Sequence, residues 1–247
     1  MDLKRRALVT ILVVGVGVLS TGGVSSAADE AKKYYNQGMQ QASQGKYEAA
    51  ADAFQKAIEL NPKHEEALFA LGDLYESQGK SQEAKELLTR LVKLKPDHAD
   101  AYYLLGTMAE KANNPAEAEQ AYRKAIAARQ DFVDAHYNLG YVLKSKGELE
   151  PAAQEFRTTV KLKPDYAEAY MNLGVVYAQQ HKFDEAEQAY EEAIRLKPTM
   201  TEAYYNLGVF YEFHMRDNAR ALVTYKKYLE LGGKDERVQR IVREVKR

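Results

Sequence analysis

The sequence predicts an all-α solenoid of six helix-turn-helix units, and three observations predict it. The segments Ala135-His136-Tyr137-Asn138-Leu139-Gly140, Ala169-Tyr170-Met171-Asn172-Leu173-Gly174 and Ala203-Tyr204-Tyr205-Asn206-Leu207-Gly208 recur at intervals of 34 residues. Pro62, Pro96, Pro164 and Pro198 fall on the same grid. Within each interval two short stretches of helical apolar spacing flank a polar turn, and a fixed period of this length marks units that bury their apolar faces only by stacking on one another.

The chain opens differently. Lys4, Arg5 and Arg6 precede an apolar run from Ala7 to Leu19, broken by Thr10 and two glycines, and Ser25-Ser26-Ala27 supplies small residues behind it. This is the order of a secretory signal, and the run is shorter than the roughly 20 residues a membrane-crossing helix needs. Residues 1–27 are therefore expected to be a signal peptide removed near Ala27, with residues 28–247 forming the exported solenoid. Left uncleaved, the same segment is an anchor, and only then does the chain meet a membrane.

Unit starts at 31, 65, 99, 133, 167 and 201 bring the pattern into register. Leu71, Leu105, Leu139, Leu173 and Leu207 lie four residues before Tyr75, Ala109, Leu143, Tyr177 and Tyr211, so each pair shares one buried helix face. Gly72, Gly106, Gly140, Gly174 and Gly208 each lower helix propensity by about 1 kcal/mol, which implies a close helix approach. The expected neighbours are Ala50, Ala84, Ala118, Ala152, Ala186 and Ala221. Asp97, Asp131, Asp165 and Thr199, each followed three residues later by Asp100, Asp134, Glu168 and Glu202, read as capping boxes or near variants.

Some units depart from the pattern. Gln37 and Gln41 replace buried residues in unit one, as in a terminal unit with one face in water. Gln130 stands in place of proline, so the second helix of unit three is expected to run further, while Asn114-Pro115 supplies that helix with a cap and a first-turn proline. One extra residue lies between Tyr211 and Ala221, which predicts a longer loop over Phe213 to Asn218. After Gly232-Gly233, Val238, Ile241, Val242 and Val245 at helical spacing predict a capping helix over residues 235–247.

The fifth unit carries Tyr170, Leu173, Gly174, Tyr177, Ala186, Tyr190, Ala193 and Pro198. In these residues, and in six in-register copies, the chain resembles the tetratricopeptide repeat family. The resemblance implies a right-handed superhelical solenoid whose first helices line a concave face, where partners bind as extended peptides or helices. Family members that grip a C-terminal carboxylate do so with lysine, asparagine and arginine. The corresponding positions here hold Tyr35, Met39, Ala70, Asp100 and Leu104, so that clamp is absent.

Composition and motifs exclude most chemistry. With 35 Lys and Arg against 36 Asp and Glu the net charge is -1, which advertises no nucleic-acid partner. The absence of cysteine removes disulfides, thiolate metal sites and a cysteine nucleophile, and together with the absence of Asn-x-Ser/Thr acceptors it suits a bacterial envelope. His64, His98, His136, His181 and His214 sit in separate units without metal-ligand spacing. No nucleophile elbow or phosphate loop occurs. Neither catalysis nor a cofactor or metal is expected.

Function then rests on the surface. The row Tyr35, Phe69, Tyr103, Tyr137, Met171 and Tyr205, and the row four residues on of Met39, Asp73, Thr107, Tyr141, Val175 and Val209, lie off the buried stripe. By resemblance they face the groove. The candidate partner-binding residues are Phe69, Tyr103, Tyr137, Asn138, Tyr141, Met171, Asn172, Val175, Tyr205, Asn206 and Val209. Two readings of the aromatic row stand side by side, a binding surface and packing between neighbouring helices. The asparagines carry the same choice, between a ligand backbone and the adjacent unit. The expected function is an envelope scaffold holding a protein partner, the alternatives being a self-assembling structural protein or an accessory subunit of an envelope machine.

Overall fold

In the computed structural model, which describes residues 26–244, the period becomes six helix pairs followed by one further helix. Units one to three are α1 (Ala27–Ser43) with α2 (Tyr47–Leu60), α3 (Glu65–Ser77) with α4 (Ser81–Leu94), and α5 (Ala99–Lys111) with α6 (Pro115–Ala128). Units four to six are α7 (Val133–Ser145) with α8 (Leu149–Leu162), α9 (Ala167–Gln179) with α10 (Phe183–Leu196), and α11 (Thr201–Val209), continued by a π-helical turn over Phe210–His214, with α12 (Asn218–Glu230). The last helix, α13, spans Glu236–Glu244. The architecture is the six-unit solenoid expected from the repeat pattern, with the right-handed superhelix that the resemblance implied. Residues 1–25 of the expected signal peptide and residues 245–247 of the expected capping helix lie outside the described residues, and among these no helix is long and apolar enough to cross a membrane.

Each unit closes on a glycine, but the neighbour differs from the expected alanine. A Cβ on Gly106, Gly174 or Gly208 falls within 2.5, 2.6 or 2.4 Å of the rings of Tyr122, Tyr190 and Tyr225, and Phe54, Leu88 and Phe156 occupy the same place in the other units. The glycine makes room for a large side chain laid across the first helix. Ala50, Ala84, Ala118, Ala152, Ala186 and Ala221 are buried one turn earlier on the second helix. Around each junction the leucines and aromatics form the core, with Tyr122, Phe156, Phe210 and Tyr225 among the largest fully buried side chains.

The turn inside each unit is equally regular. Gly45, Gly79 and Gly147 adopt φ of 73°, 76° and 77°, and Asn113, His181 and Arg216 take the left-handed conformation at the corresponding place in units three, five and six. An L side chain is disfavoured there. The conformation reverses the chain while its amides close the helix end: the Lys80 N–H donates to the Tyr75 carbonyl at 2.9 Å.

Three expectations about local structure are corrected. The capping boxes at Asp97, Asp131, Asp165 and Thr199 do not form, because the N-cap is one residue later, at His98, Phe132, Tyr166 and Met200. Those large side chains pack on the preceding part of the stack, and packing fixes the helix start where a small polar cap was expected. Second, α6 is 14 residues long, like α4 and α8, although Gln130 replaces proline. His136 donates from Nε2 to the Gln130 carbonyl at 3.0 Å, and Phe132 packs tilted against Tyr103 at 4.8 Å, so tertiary contacts end this helix. Third, the extra residue of unit six lengthens no loop. It is absorbed in the π turn, where the Met215 N–H donates to the Phe210 carbonyl at 3.1 Å. At Asn114-Pro115 the cap and first-turn proline form as expected, with Asn114 accepting from the Glu117 N–H at 3.3 Å.

Candidate functional site

The first helices place two rows of side chains on one face because residues four apart lie one above the other. In the first row each ring meets the residue that starts the next unit. Ring centroids lie 5.2 Å apart for Tyr35 and His64, 5.1 Å for Phe69 and His98, 4.8 Å for Tyr103 and Phe132, and 4.9 Å for Tyr137 and Tyr166. Met171 packs against the cluster of Ala167, Ala193, Met200 and Ala203, and Tyr205 meets Tyr228 at 5.4 Å. The row is half-buried and forms a ladder linking unit to unit. Packing between helices therefore claims one side of each of these residues, and only the other side is left for a partner.

The second row is more open. Tyr141 is 48 % exposed, with the Lys144 ammonium 4.7 Å from its ring centroid, while Met39, Thr107, Val175 and Val209 are partly buried around the same face.

The three asparagines point back to the preceding unit. Asn138 donates to the Tyr103 hydroxyl at 3.2 Å and the Tyr122 hydroxyl at 3.3 Å. Asn172 is 2 % exposed and donates to the Tyr137 hydroxyl at 3.2 Å and the Glu168 carbonyl at 2.9 Å. Its amide is engaged inside the framework, so a direct ligand contact is withdrawn for this residue. Asn206 reaches the Met171 sulfur at 3.2 Å, a weak acceptor.

A third set of residues escaped the sequence reading. Glu76, Glu110, Lys144, Ala178 and Glu212 recur one or more periods apart near the ends of the first helices, a signal visible only once side-chain partners are known. Lys111 pairs with the buried Glu76, and the Tyr122 hydroxyl donates to Glu110. Burial, with Glu110 beside it, holds the Tyr122 phenol far above its usual value. The Lys144 ammonium donates to the Asn172 side-chain carbonyl, and burial lowers its pKa. Glu212 accepts from the Tyr225 hydroxyl at 2.6 Å and from Arg237 of α13 at 2.8 Å.

The acids at the starts of the first helices play a different part from capping. Arg129 meets Asp100 at 2.6 Å, Lys95 meets Glu65 at 3.1 Å and Lys197 meets Glu168 at 2.7 Å, each pair joining the two ends of one unit. These groups are partly exposed, so solvent screening leaves each pair a weak contributor to stability.

Comparison with known proteins agrees with this geometry. Family models described as "Tetratricopeptide repeat" match residues 69–131 and 167–200, and one described as "TPR repeat" matches residues 40–79 and 140–181. A search of the curated proteins finds no match. Among solved structures, a MamA protein is 30 % identical over 65 % of this chain and 94 % of its own, with a TM-score of 0.61. YrrB, described as a TPR protein with an unusual peptide-binding site, is 26 % identical over 71 % and 90 %, with a TM-score of 0.64. PilF of Pseudomonas aeruginosa shares the fold at 16 % identity over 88 % and 99 %, with a TM-score of 0.70.

Proposed function

Since the chain belongs to the tetratricopeptide repeat family, a protein-interaction scaffold in general terms, we propose that it holds a peptide or helix of a partner protein in the bacterial cell envelope, seated on the face lined by Tyr141, Val175 and Val209. The observation that carries this reading is Tyr141. It exposes nearly half of a large ring beside the half-buried row at Tyr137, while the rings of that row are held by the next unit. An aromatic exposed next to ordered neighbours, with a cation over one face, presents contact area at small entropic cost. YrrB, with its described peptide-binding site, supports the use of such a scaffold for peptides.

The test is affinity capture from a bacterial envelope fraction with the wild-type chain and with Tyr141→Ala. Loss of one wild-type partner from the variant, at unchanged helicity and with monodisperse protein in light scattering, is the expected result. Equal capture by both removes Tyr141 from the interface, and a concentration-dependent ladder of oligomers points to self-assembly instead.

A further inference from the structure

Four side chains form a closed polar node in units three and four and an open one two periods later. In the closed node, Tyr122 crosses α5 at Gly106, its hydroxyl donates to Glu110, and Asn138 donates to the hydroxyls of both Tyr122 and Tyr103. Moving each residue 68 positions along the chain gives Tyr190, Ala178, Asn206 and Met171. Tyr190 crosses α9 at Gly174 just as Tyr122 crosses α5. The acceptors have gone: Ala178 replaces the glutamate, and Met171 replaces the tyrosine hydroxyl with a thioether.

The consequences appear in the hydrogen bonding. Tyr190 is 2 % exposed, and among the described residues its hydroxyl has no hydrogen bond, only burial acting on it. Its oxygen keeps slight contact with solvent. Asn206 is left with the Met171 sulfur. Nearby acids are committed elsewhere or face water: Glu168 is paired with Lys197 at 2.7 Å, Glu212 with Arg237 and Tyr225, Glu187 with Tyr211 and Arg220, and Glu202 is exposed at the start of α11. One unit earlier, Lys144 is half-buried with an amide carbonyl and a ring for partners and, among the described residues, no carboxylate.

We propose that the open node between α9 and α11 is a subsite for a side-chain carboxylate of the bound partner, received by the Tyr190 hydroxyl and the Asn206 amide, with the Lys144 ammonium favouring the same charge from the neighbouring unit. The partner segment is thus acidic at the point where it crosses units five and six. Two units earlier the equivalent tyrosine hydroxyl donates to a glutamate while the equivalent asparagine donates to that hydroxyl, so the ligand supplies the group that Ala178 withholds. This rests on the groove reading above but is tested without the partner.

The probe is N-acetyl-glutamate N-methylamide, whose only carboxylate is on the side chain, titrated at constant ionic strength into the full-length chain while the Asn206 side-chain amide is followed by NMR. Asn206→Ser assigns the resonance. A saturable shift that the glutamine counterpart does not produce, and that weakens at least tenfold in Tyr190→Phe and in Ala178→Glu, is the expected result. Ala178→Glu should also melt at or above the wild-type temperature, because the introduced carboxylate meets waiting donors. Overturning results are an equal shift with the glutamine probe, no saturable shift, stronger binding of an N-acetyl-alanine probe carrying only an α-carboxylate, or a lower melting temperature for Ala178→Glu. If Tyr141→Ala loses a partner while the node takes no carboxylate, this inference fails and the groove reading stands.

Discussion

Removing the Tyr137 ring tests what the aromatic row does. Tyr137 stacks on Tyr166 at 4.9 Å, tilts against Phe156 at 5.8 Å, and accepts a hydrogen bond from Asn172 at 3.2 Å. Truncating a fully buried aromatic to alanine costs about 3 to 5 kcal/mol. Tyr137 is half-buried; its two ring pairs are worth roughly 0.5 to 1.5 kcal/mol each and its hydrogen bond about 1. Tyr137→Ala is therefore expected to lose about 2 to 4 kcal/mol, and Tyr137→Phe, which keeps both rings, about 1. Urea unfolding of the full chain, followed by circular dichroism, reads these as midpoint shifts at unchanged slope. Tyr141→Ala is the control. At 48 % exposure and, among the described residues, with no ring pair it should stay within about 0.5 kcal/mol of wild type. A wild-type midpoint for Tyr137→Ala together with a large shift for Tyr141→Ala refutes the division of labour between the rows.

Other outcomes follow from single groups. His136 is buried, which opposes its charge, yet Glu155 at 2.6 Å and the Gln130 carbonyl at 3.0 Å accept from its two nitrogens, and its pKa is raised. A raised folded pKa gives stability that is full below the unfolded value of about 6.5 and lost as pH rises through the folded value. The melting advantage of wild type over His136→Gln should therefore shrink as pH rises above about 6.5, and a constant advantage counts against the ion pair. Arg216, exposed at φ 54°, should gain about 0.5 to 1 kcal/mol on replacement by glycine in a urea melt. Arg237→Ala unties α13 from Glu212 and Tyr225 and should lower the melting temperature, with protease cleavage appearing first near Gly232. N-terminal sequencing of exported protein should read a start near Ala28. Since Ser26 caps α1 by accepting from the Asp29 N–H at 3.2 Å, a chain starting at Ser26 should be about 1 kcal/mol more stable than one starting at Ala28.

What was legible in the sequence is what depends on period. The 34-residue spacing of Leu-Gly and proline dictates two helices per unit and their stacking, because nothing else buries those stripes. Details that depend on a side chain one unit away were not legible. Asp131 and Asp165 look like caps until Phe132 and Tyr166 are seen packed on Tyr103 and Tyr137. The glycines announced a close approach but not its partner, since Ala118 and Tyr122 lie on the same helix a turn apart. Of the candidate site, Tyr141 kept its exposed place, while Asn172 was taken up by its neighbours. Tyr190 drew notice as a framework residue; its unanswered hydroxyl shows only beside Tyr122.

The π turn of unit six has a consequence for how such a stack tolerates changes in length. One residue added to an α-helix rotates everything beyond it by about 100°, and in a linear array that phase error would pass to every later element. Here Tyr225 follows Gly208 by 17 residues where Tyr190 follows Gly174 by 16, yet the same ring-over-glycine contact is made. The wide turn takes up the phase within a single revolution, and what it displaces is one side chain, Phe213, left 61 % exposed beside Arg237. An insertion in this chain is thus converted from a rotation of the array into a local protrusion, and α12 and α13 inherit an undisturbed frame.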